Sequence, residues 1–258
     1  MVGSVKFTAV VLAGSRPGRD HFAEQFGTDL KALIAVGGEP MVRRPVRALL
    51  ESRSVGSIIV LSQVPDRIAA VVSKDPRVSF RESRGTIAAT MLELCDNPDT
   101  EWPLLVTTAD HALLDANTVD EFVAKAAGAD VAIGVVEQRV LMRRLPDAQR
   151  TWLRFRGGAY TGANLFALGS TSVRPAIELW RSVEQDRKKA WRVMSLLGPV
   201  TLILVGLRLV SLSEVLAQLG ARLGLKVKAV ELSNALAGVD VDKPADHTLA
   251  EAILAGKA

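Results

Sequence analysis

Short apolar runs alternate along the chain with longer stretches whose apolar positions recur at helical spacing. The runs at 7–14 (FTAVVLAG), 57–63 (SIIVLSQ), 78–82 (VSFRE), 103–110 (PLLVTTAD) and 130–138 (DVAIGVVEQ) have the length of strands, and polar or turn-forming residues bound them. The stretches at 40–52, 66–74, 86–95 and 117–127 are read as helices, the last with Asn117 as its N-cap. Strands alternating with helices predict an α/β fold, Rossmann-like, with three α/β/α layers and a mainly parallel, mixed sheet. In such sheets ligands bind beyond the carboxyl ends of the strands. The loop after Gly14 and the acid at Asp110 both stand at such ends.

The rhythm breaks after residue 138. Residues 139–156 hold six arginines (139, 143, 144, 150, 154 and 156), read either as a solvated loop or as a lid over an anionic ligand. A strand follows at 161–168, then a helical stretch over about 173–224, a late strand at 226–233 and a final helix within 242–255. Nothing reads as a linker or repeat, so residues 1–258 are taken as one domain with an Arg-rich insert and a helical embellishment.

Composition narrows the class. With 48% apolar residues and a net charge of +4 in 258 residues, disorder is excluded as the main state. One tyrosine among few aromatics argues against a stacking platform for single-stranded nucleic acid, so no nucleic-acid partner is expected. A lone cysteine, Cys95, excludes an intramolecular disulfide framework or a multi-cysteine zinc site and points to a reducing, cytoplasmic setting. The uncharged run 193–207 is short for a membrane span and is interrupted by Pro199. With the basic cluster before it, segment 187–207 is read first as buried against the domain or in a homodimer, and otherwise as a peripheral contact with an anionic membrane surface.

Candidate chemistry gathers at five places. LAGSRPGR (12–19) is a small-residue loop with Arg16 and Arg19, suited to bringing backbone N–H groups and positive charge to phosphate oxygens, although it is neither a Walker A loop nor a dinucleotide fingerprint. Lys31 follows, then a Gly-Gly turn and Pro40. VTTADHALL (106–114) delivers the Asp110 carboxylate to a strand end, a hard oxygen ligand of the kind Mg²⁺ takes beside phosphates. In AGVDVDKPADHTL (237–249), Asp240 and Asp242 lie on an extended segment; they are expected to face opposite ways, so that one of them, Asp242 by preference, points at a metal. Asp246 is read as support for the last helix. Gly85 and Thr86 begin a helix, and Asn164 lies in YTGANLFAL (160–168). Each of these last three residues has an equally good reading as a plain helix start or turn.

These segments resemble the MobA-like nucleotidyltransferase superfamily: the molybdenum-cofactor guanylyl- and cytidylyltransferases and their sugar-phosphate relatives. Leu12, Ala13, Gly14 and Arg19 match the first half of that family's opening motif. Lys31, Leu33, Val36, Gly38, Pro40 and Met41 match the second half in spacing. Ser15 and Pro17 depart from the usual glycines, the loop from Arg19 to Lys31 is long, and Ala112 replaces a proline after the strand-end acid.

The resemblance implies transfer from an NTP, CTP or GTP before UTP and ATP, to a phosphorylated acceptor, with Mg²⁺ as cofactor. It implies that Lys31, Arg19 and Arg16 act on the phosphates. Leu12, Ala13, Gly14, Ser15, Gly85 and Thr86 would hold the nucleotide, and Asp110, Asp242 and Asp240 the metal. Asn164, and Arg154 of the insert, would meet the acceptor. Two other readings stay open: a glycosyltransferase using a nucleotide-sugar donor, and a non-catalytic nucleotide-binding or membrane-surface adaptor.

Overall fold

The computed structural model describes residues 5–14, 18–83, 85–184 and 190–257, with backbone alone at 183–184 and 190–195. Its strands are β1 (Phe7–Leu12), β2 (Ala35–Val36), β3 (Glu39–Pro40), β4 (Val55–Ser62), β5 (Val78–Glu82), β6 (Leu104–Thr108), β7 (Val131–Glu137), β8 (Leu153–Phe155), β9 (Gly158–Leu168) and β10 (Val227–Glu231). Its helices are α1 (His21–Glu24), α2 (Arg43–Glu51), α3 (Pro65–Ala69), α4 (Ile87–Asp96), α5 (Ala116–Ala126), α6 (Gln138–Arg144), α7 (Arg174–Glu184), α8 (Ala190–Gly206), α9 (Leu212–Leu223) and α10 (Pro244–Leu254).

The main sheet runs β10-β7-β9-β6-β1-β4-β5, with β8 added to β9. Only β9 breaks the parallel arrangement: it is antiparallel to β6, β7 and β8. Alternate strand residues enter two cores, as a two-residue side-chain period requires. Ala9, Val11, Ile58, Val60 and Leu105 join α2, α5 and α10 on one face. Val10, Ile59, Leu61, Leu104 and Val106 join α4 and α7 on the other.

β1 is the point at which the strand order reverses, with β4 on one side and β6 on the other, both parallel to it. That opens a crevice beyond the carboxyl ends of β1 and β6. Gly14 and Asp110 stand on either side of it.

Several local expectations change. The N-cap of α5 is Asp115, whose side chain accepts from Thr118 N at 2.7 Å, rather than Asn117. The Arg-rich insert is α6, a loop and β8. The helical embellishment is three helices, and α8 kinks at Gly198–Pro199. Of the segment 187–207, residues 187–189 lie outside the described residues, and among the side chains described at 196–207 burial against the domain is only partial. Thr201 is buried and donates to Gln218 of α9, but Val200, Ile203 and Leu207 are exposed. No helix among the described residues is long and apolar enough to cross a membrane. Cys95 is half-buried beside the α4–α7 core.

Candidate active site

Lys31 is delivered by a single helical turn, Lys31–Leu33, that precedes a tight hairpin. Ala32 and Ile34 are buried and anchor that turn. Backbone bonds from Val42 N to Ala32 O (3.0 Å) and from Met41 N to Ile34 O (2.8 Å) tie it to the start of α2. The hairpin β2–β3 reverses through Gly37 and Gly38, both at positive φ (63° and 77°), as a two-residue turn of this twist demands. This unit also docks on α10: Gly37 N donates to Glu251 Oε1 at 2.7 Å, and His247 Nε2 lies 2.7 Å from the carbonyl of Ala35.

Asp110 is delivered by β6. The bond from Ala109 N to Leu12 O (2.9 Å) carries the β1–β6 pairing to the residue just before the acid. Thr108 Oγ1 donates to one carboxylate oxygen. Lys31 Nζ donates to the other at 2.6 Å, and also to Asp242 Oδ1. Burial works against the Lys31 ammonium, but Asp110 and Asp242 outweigh it and hold its pKa above the ordinary lysine range. Behind Asp110, His111 is fully buried with Nδ1 3.2 Å from Thr107 Oγ1, and burial pushes its pKa down to about 4. It is a neutral packing residue.

The segment carrying Asp240 and Asp242 corrects an expectation. The two side chains do not face opposite ways. Val239 and Val241 between and before them point into the core, each 0% exposed, so Asp240 and Asp242 share the opposite, outward side. In extended backbone, residues two apart share a face. The segment is pinned by Val241 N donating to Asp110 O at 3.0 Å.

Asp240 is the more buried carboxylate. Arg150 Nη1 reaches its Oδ1 at 2.9 Å, and Asn164 Nδ2 lies 3.4 Å from its Oδ2. Burial raises the pKa of Asp240 to about 6, helped by the charges of Asp242 and Asp110 and opposed by Arg150. Asp246, in the first turn of α10, is buried and pairs with Arg150 at 3.2 Å. It also accepts from Asp242 N at 3.3 Å.

The other expected residues fall in different places. Leu12 ends β1, and Ala13 follows it, its N–H donating to Leu61 O at 2.8 Å. Gly14 lies against Gln63, whose amide would sit 2.8–2.9 Å from a Cβ at that position. Ser15 and Arg16 lie outside the described residues. Arg19 is exposed and pairs with Glu24 at 3.0 Å. Gly85 is exposed, and Thr86 caps α4 through a bond from Ala89 N at 3.2 Å. Asn164 holds a positive φ of 47° on β9 and reaches Asp240. Arg154 is exposed on β8.

Two residues at the site had not been singled out. Gln63 follows β4 and has no motif to mark it. Arg150 is one of six arginines in the insert, and spacing does not distinguish it from the others. A cavity of about 500 Å³ opens beside Arg150, between the 144–150 loop and the start of α10, with Lys243 and Leu249 in its wall.

A divalent cation can be tested against this donor set. Among the described residues, no three acidic or imidazole groups enclose a metal by themselves. Mg²⁺ beside phosphates needs only one or two protein carboxylates and keeps waters. Lys31 Nζ reaches both Asp110 and Asp242, so these two carboxylates already converge on one cationic group. The residues fit such an ion.

Comparison with known proteins gives the family and agrees with the fold. The family model for the MobA-like NTP transferase domain matches residues 9–200. A solved structure described as a hypothetical transferase from Thermus thermophilus is 30% identical. It covers 94% of this chain and 100% of its own, with a TM-score of 0.80. A 4-diphosphocytidyl-2C-methyl-D-erythritol synthase from Anaerococcus prevotii is 11% identical, with 98% and 97% coverage and a TM-score of 0.62. A CMP:2-keto-3-deoxy-manno-octonic acid synthetase complexed with CTP is 12% identical, with 98% and 100% coverage and a TM-score of 0.60. At these identities the last two show likeness of fold. No curated protein sequence matches the chain.

Proposed function

The chain belongs to the MobA-like NTP transferase family, a family of nucleotidyltransferases, and on that premise we propose that it is a cytoplasmic enzyme joining an NTP to a phosphorylated small-molecule acceptor. The products are an NDP-linked acceptor and pyrophosphate. CTP or GTP is the preferred donor, and Mg²⁺ is required. The observation that carries this reading is Lys31 held between Asp110 and Asp242 at the crevice where the strand order reverses.

In the reaction an acceptor phosphate oxygen bonds to the α-phosphorus, and the bond from that phosphorus to the bridging oxygen of the β-phosphate breaks. The acceptor is already ionised, so no side chain has to remove a proton. What remains is positioning and charge neutralisation. Lys31, kept protonated by its two carboxylates, is available to the α-phosphate and to departing pyrophosphate. Gly14, just beyond β1, is assigned with the loop that follows it to the triphosphate, with Arg16 and Arg19 adding charge. Asp110, together with Asp242 or Asp240, would hold Mg²⁺, which when bound neutralises phosphate charge. Asn164 and Arg154 are assigned to the acceptor side.

The test is a melting experiment with CTP, GTP, UTP and ATP, each with and without Mg²⁺, followed by an acceptor screen for pyrophosphate release. One nucleotide should raise the melting temperature in a Mg²⁺-dependent way, because a ligand of the folded state stabilises it. No shift with any of the four overturns the proposal. Release of a nucleoside diphosphate from a nucleotide sugar, without pyrophosphate, makes the protein a glycosyltransferase instead.

A further inference from the structure

Residues 239–242 belong to no helix or strand, yet they carry two carboxylates of the site. Backbone bonding alone holds them weakly: the described contacts are Val239 N to Leu236 O at 3.0 Å and Val241 N to Asp110 O at 3.0 Å. The buried side chains of Val239 and Val241 anchor one side of the segment, and on the outward side Arg150 makes the most contacts with it. Its side chain is only 9% exposed, and its guanidinium touches the segment at two points and the helix beyond it at a third. Nη1 donates to Asp240 Oδ1 at 2.9 Å, Nη2 to the Asp240 carbonyl at 3.4 Å, and Nη2 pairs with Asp246 Oδ1 at 3.2 Å. Asp246 in turn accepts from the backbone N–H of Asp242. One planar fork therefore links the Asp240 side chain, its peptide and the first turn of α10. A lysine ammonium, a single point charge, cannot reproduce that set of directions.

We propose that Arg150 is the positioning residue of the metal site: it holds the Asp240–Asp242 segment in register with Asp110. The proposal rests on the assignment of the carboxylates to a divalent cation. Arg150 acts through these acids and is not itself a ligand or a catalytic residue.

The sign of the effect separates this role from a bystander charge. A guanidinium close to a cation site repels the cation, so deleting a bystander arginine tightens metal binding. Deleting a positioning arginine weakens it, because the ligands lose their arrangement. Loss of a residue that orients metal ligands typically costs about 10–100-fold in metal affinity.

The experiment titrates Mn²⁺ alone into the full-length chain and reads free Mn²⁺ by electron paramagnetic resonance. The proteins are wild type, Arg150→Met, Arg150→Lys and Asp110→Ala, each checked for fold by circular dichroism. Arg150→Met should weaken Mn²⁺ binding about 10–100-fold, and Arg150→Lys should recover part of the loss. Unchanged or tighter binding in Arg150→Met, with binding lost in Asp110→Ala, overturns the role of Arg150 and leaves the metal site standing. Unchanged binding in Asp110→Ala removes the metal site and the Arg150 proposal with it. If Arg150→Met does not fold, Arg150→Lys decides: weaker binding supports the role, and unchanged or tighter binding overturns it.

Discussion

The two acidic sides of the crevice are built by different means. Asp110 rides on the end of a central strand whose neighbours pair with it on both edges, and β1 still holds the backbone at Ala109. Asp240 and Asp242 ride on irregular backbone, held by two buried valines, by the ion pair of Asp240 with Arg150 and by the bond from Asp242 N to the Asp246 carboxylate. A strand end places a side chain through many cooperative backbone bonds. A clamp places it through a few side-chain contacts that single substitutions remove. The strand-built side should therefore tolerate loss of its acid without loss of position. The clamped side couples charge, position and stability in the same few residues.

The largest effect should come from removing the charges that meet across the crevice. Asp110→Ala or Lys31→Ala should lower the rate of pyrophosphate release by at least about 10²–10³-fold, the cost of deleting one preorganised electrostatic group. Circular dichroism should show the strand-built side intact. Near-normal rates in both variants would break the site assignment.

Next comes the strand beneath Asp110. Leu105 is fully buried and pairs with Ala9 and Ala167. Leu105→Ala should cost about 2–5 kcal/mol in urea unfolding, because β6 cannot close the hole. A loss below about 1 kcal/mol would show that β6 is not the rigid support its pairing implies.

On the clamped side the expected sign reverses. Burial and its acidic neighbours raise the Asp240 pKa in the folded state to about 6, from an ordinary 3.8. The folded protein therefore binds this proton more tightly than the unfolded chain. The resulting stability is fully present below about pH 4 and is lost as pH rises through about 6. Asp240→Asn, with no metal present, should stabilise the protein at pH 7 by on the order of 1–3 kcal/mol. The gain should shrink to nothing by about pH 4. His111 pulls the other way, losing stability as pH falls, but it is the same in both proteins and cancels in the difference. Melting curves from pH 4 to pH 7 would check this. A destabilised Asp240→Asn at pH 7 would mean that the Arg150 pair outweighs the repulsion.

The smallest effect belongs to Thr86, which caps α4 at the end of β5. Thr86→Ala should cost about 1 kcal/mol, the usual value of a lost N-cap, measured by urea unfolding. A much larger loss would mean that this turn carries more of the nucleotide-side architecture than one cap.

The strand–helix rhythm, the Gly-Gly turn and an acid just past β6 were legible in the chain, although the strand stops at Thr108 rather than running to Asp110. Each depends on local periodicity or on residue types needed at a turn. The chemistry of Lys31 with Asp110 and Asp242 was legible only as a list of residues, since 79 and 211 positions separate the partners along the chain. The shared side of Asp240 and Asp242 follows from backbone geometry, but the buried valines that enforce it had to be seen.

The amino-acid pattern by itself determined the layers, the parallel rhythm and which strand ends carry charge, because apolar periodicity and turn chemistry act between near neighbours. The insertion of antiparallel β9 between β6 and β7, the seating of Gln63 over Gly14 and the choice of Arg150 among six arginines were decided only by tertiary structure. Those choices depend on which surfaces meet when distant segments pack. A guanidinium becomes a clamp only where folding has buried it among carboxylates that are far away in the chain.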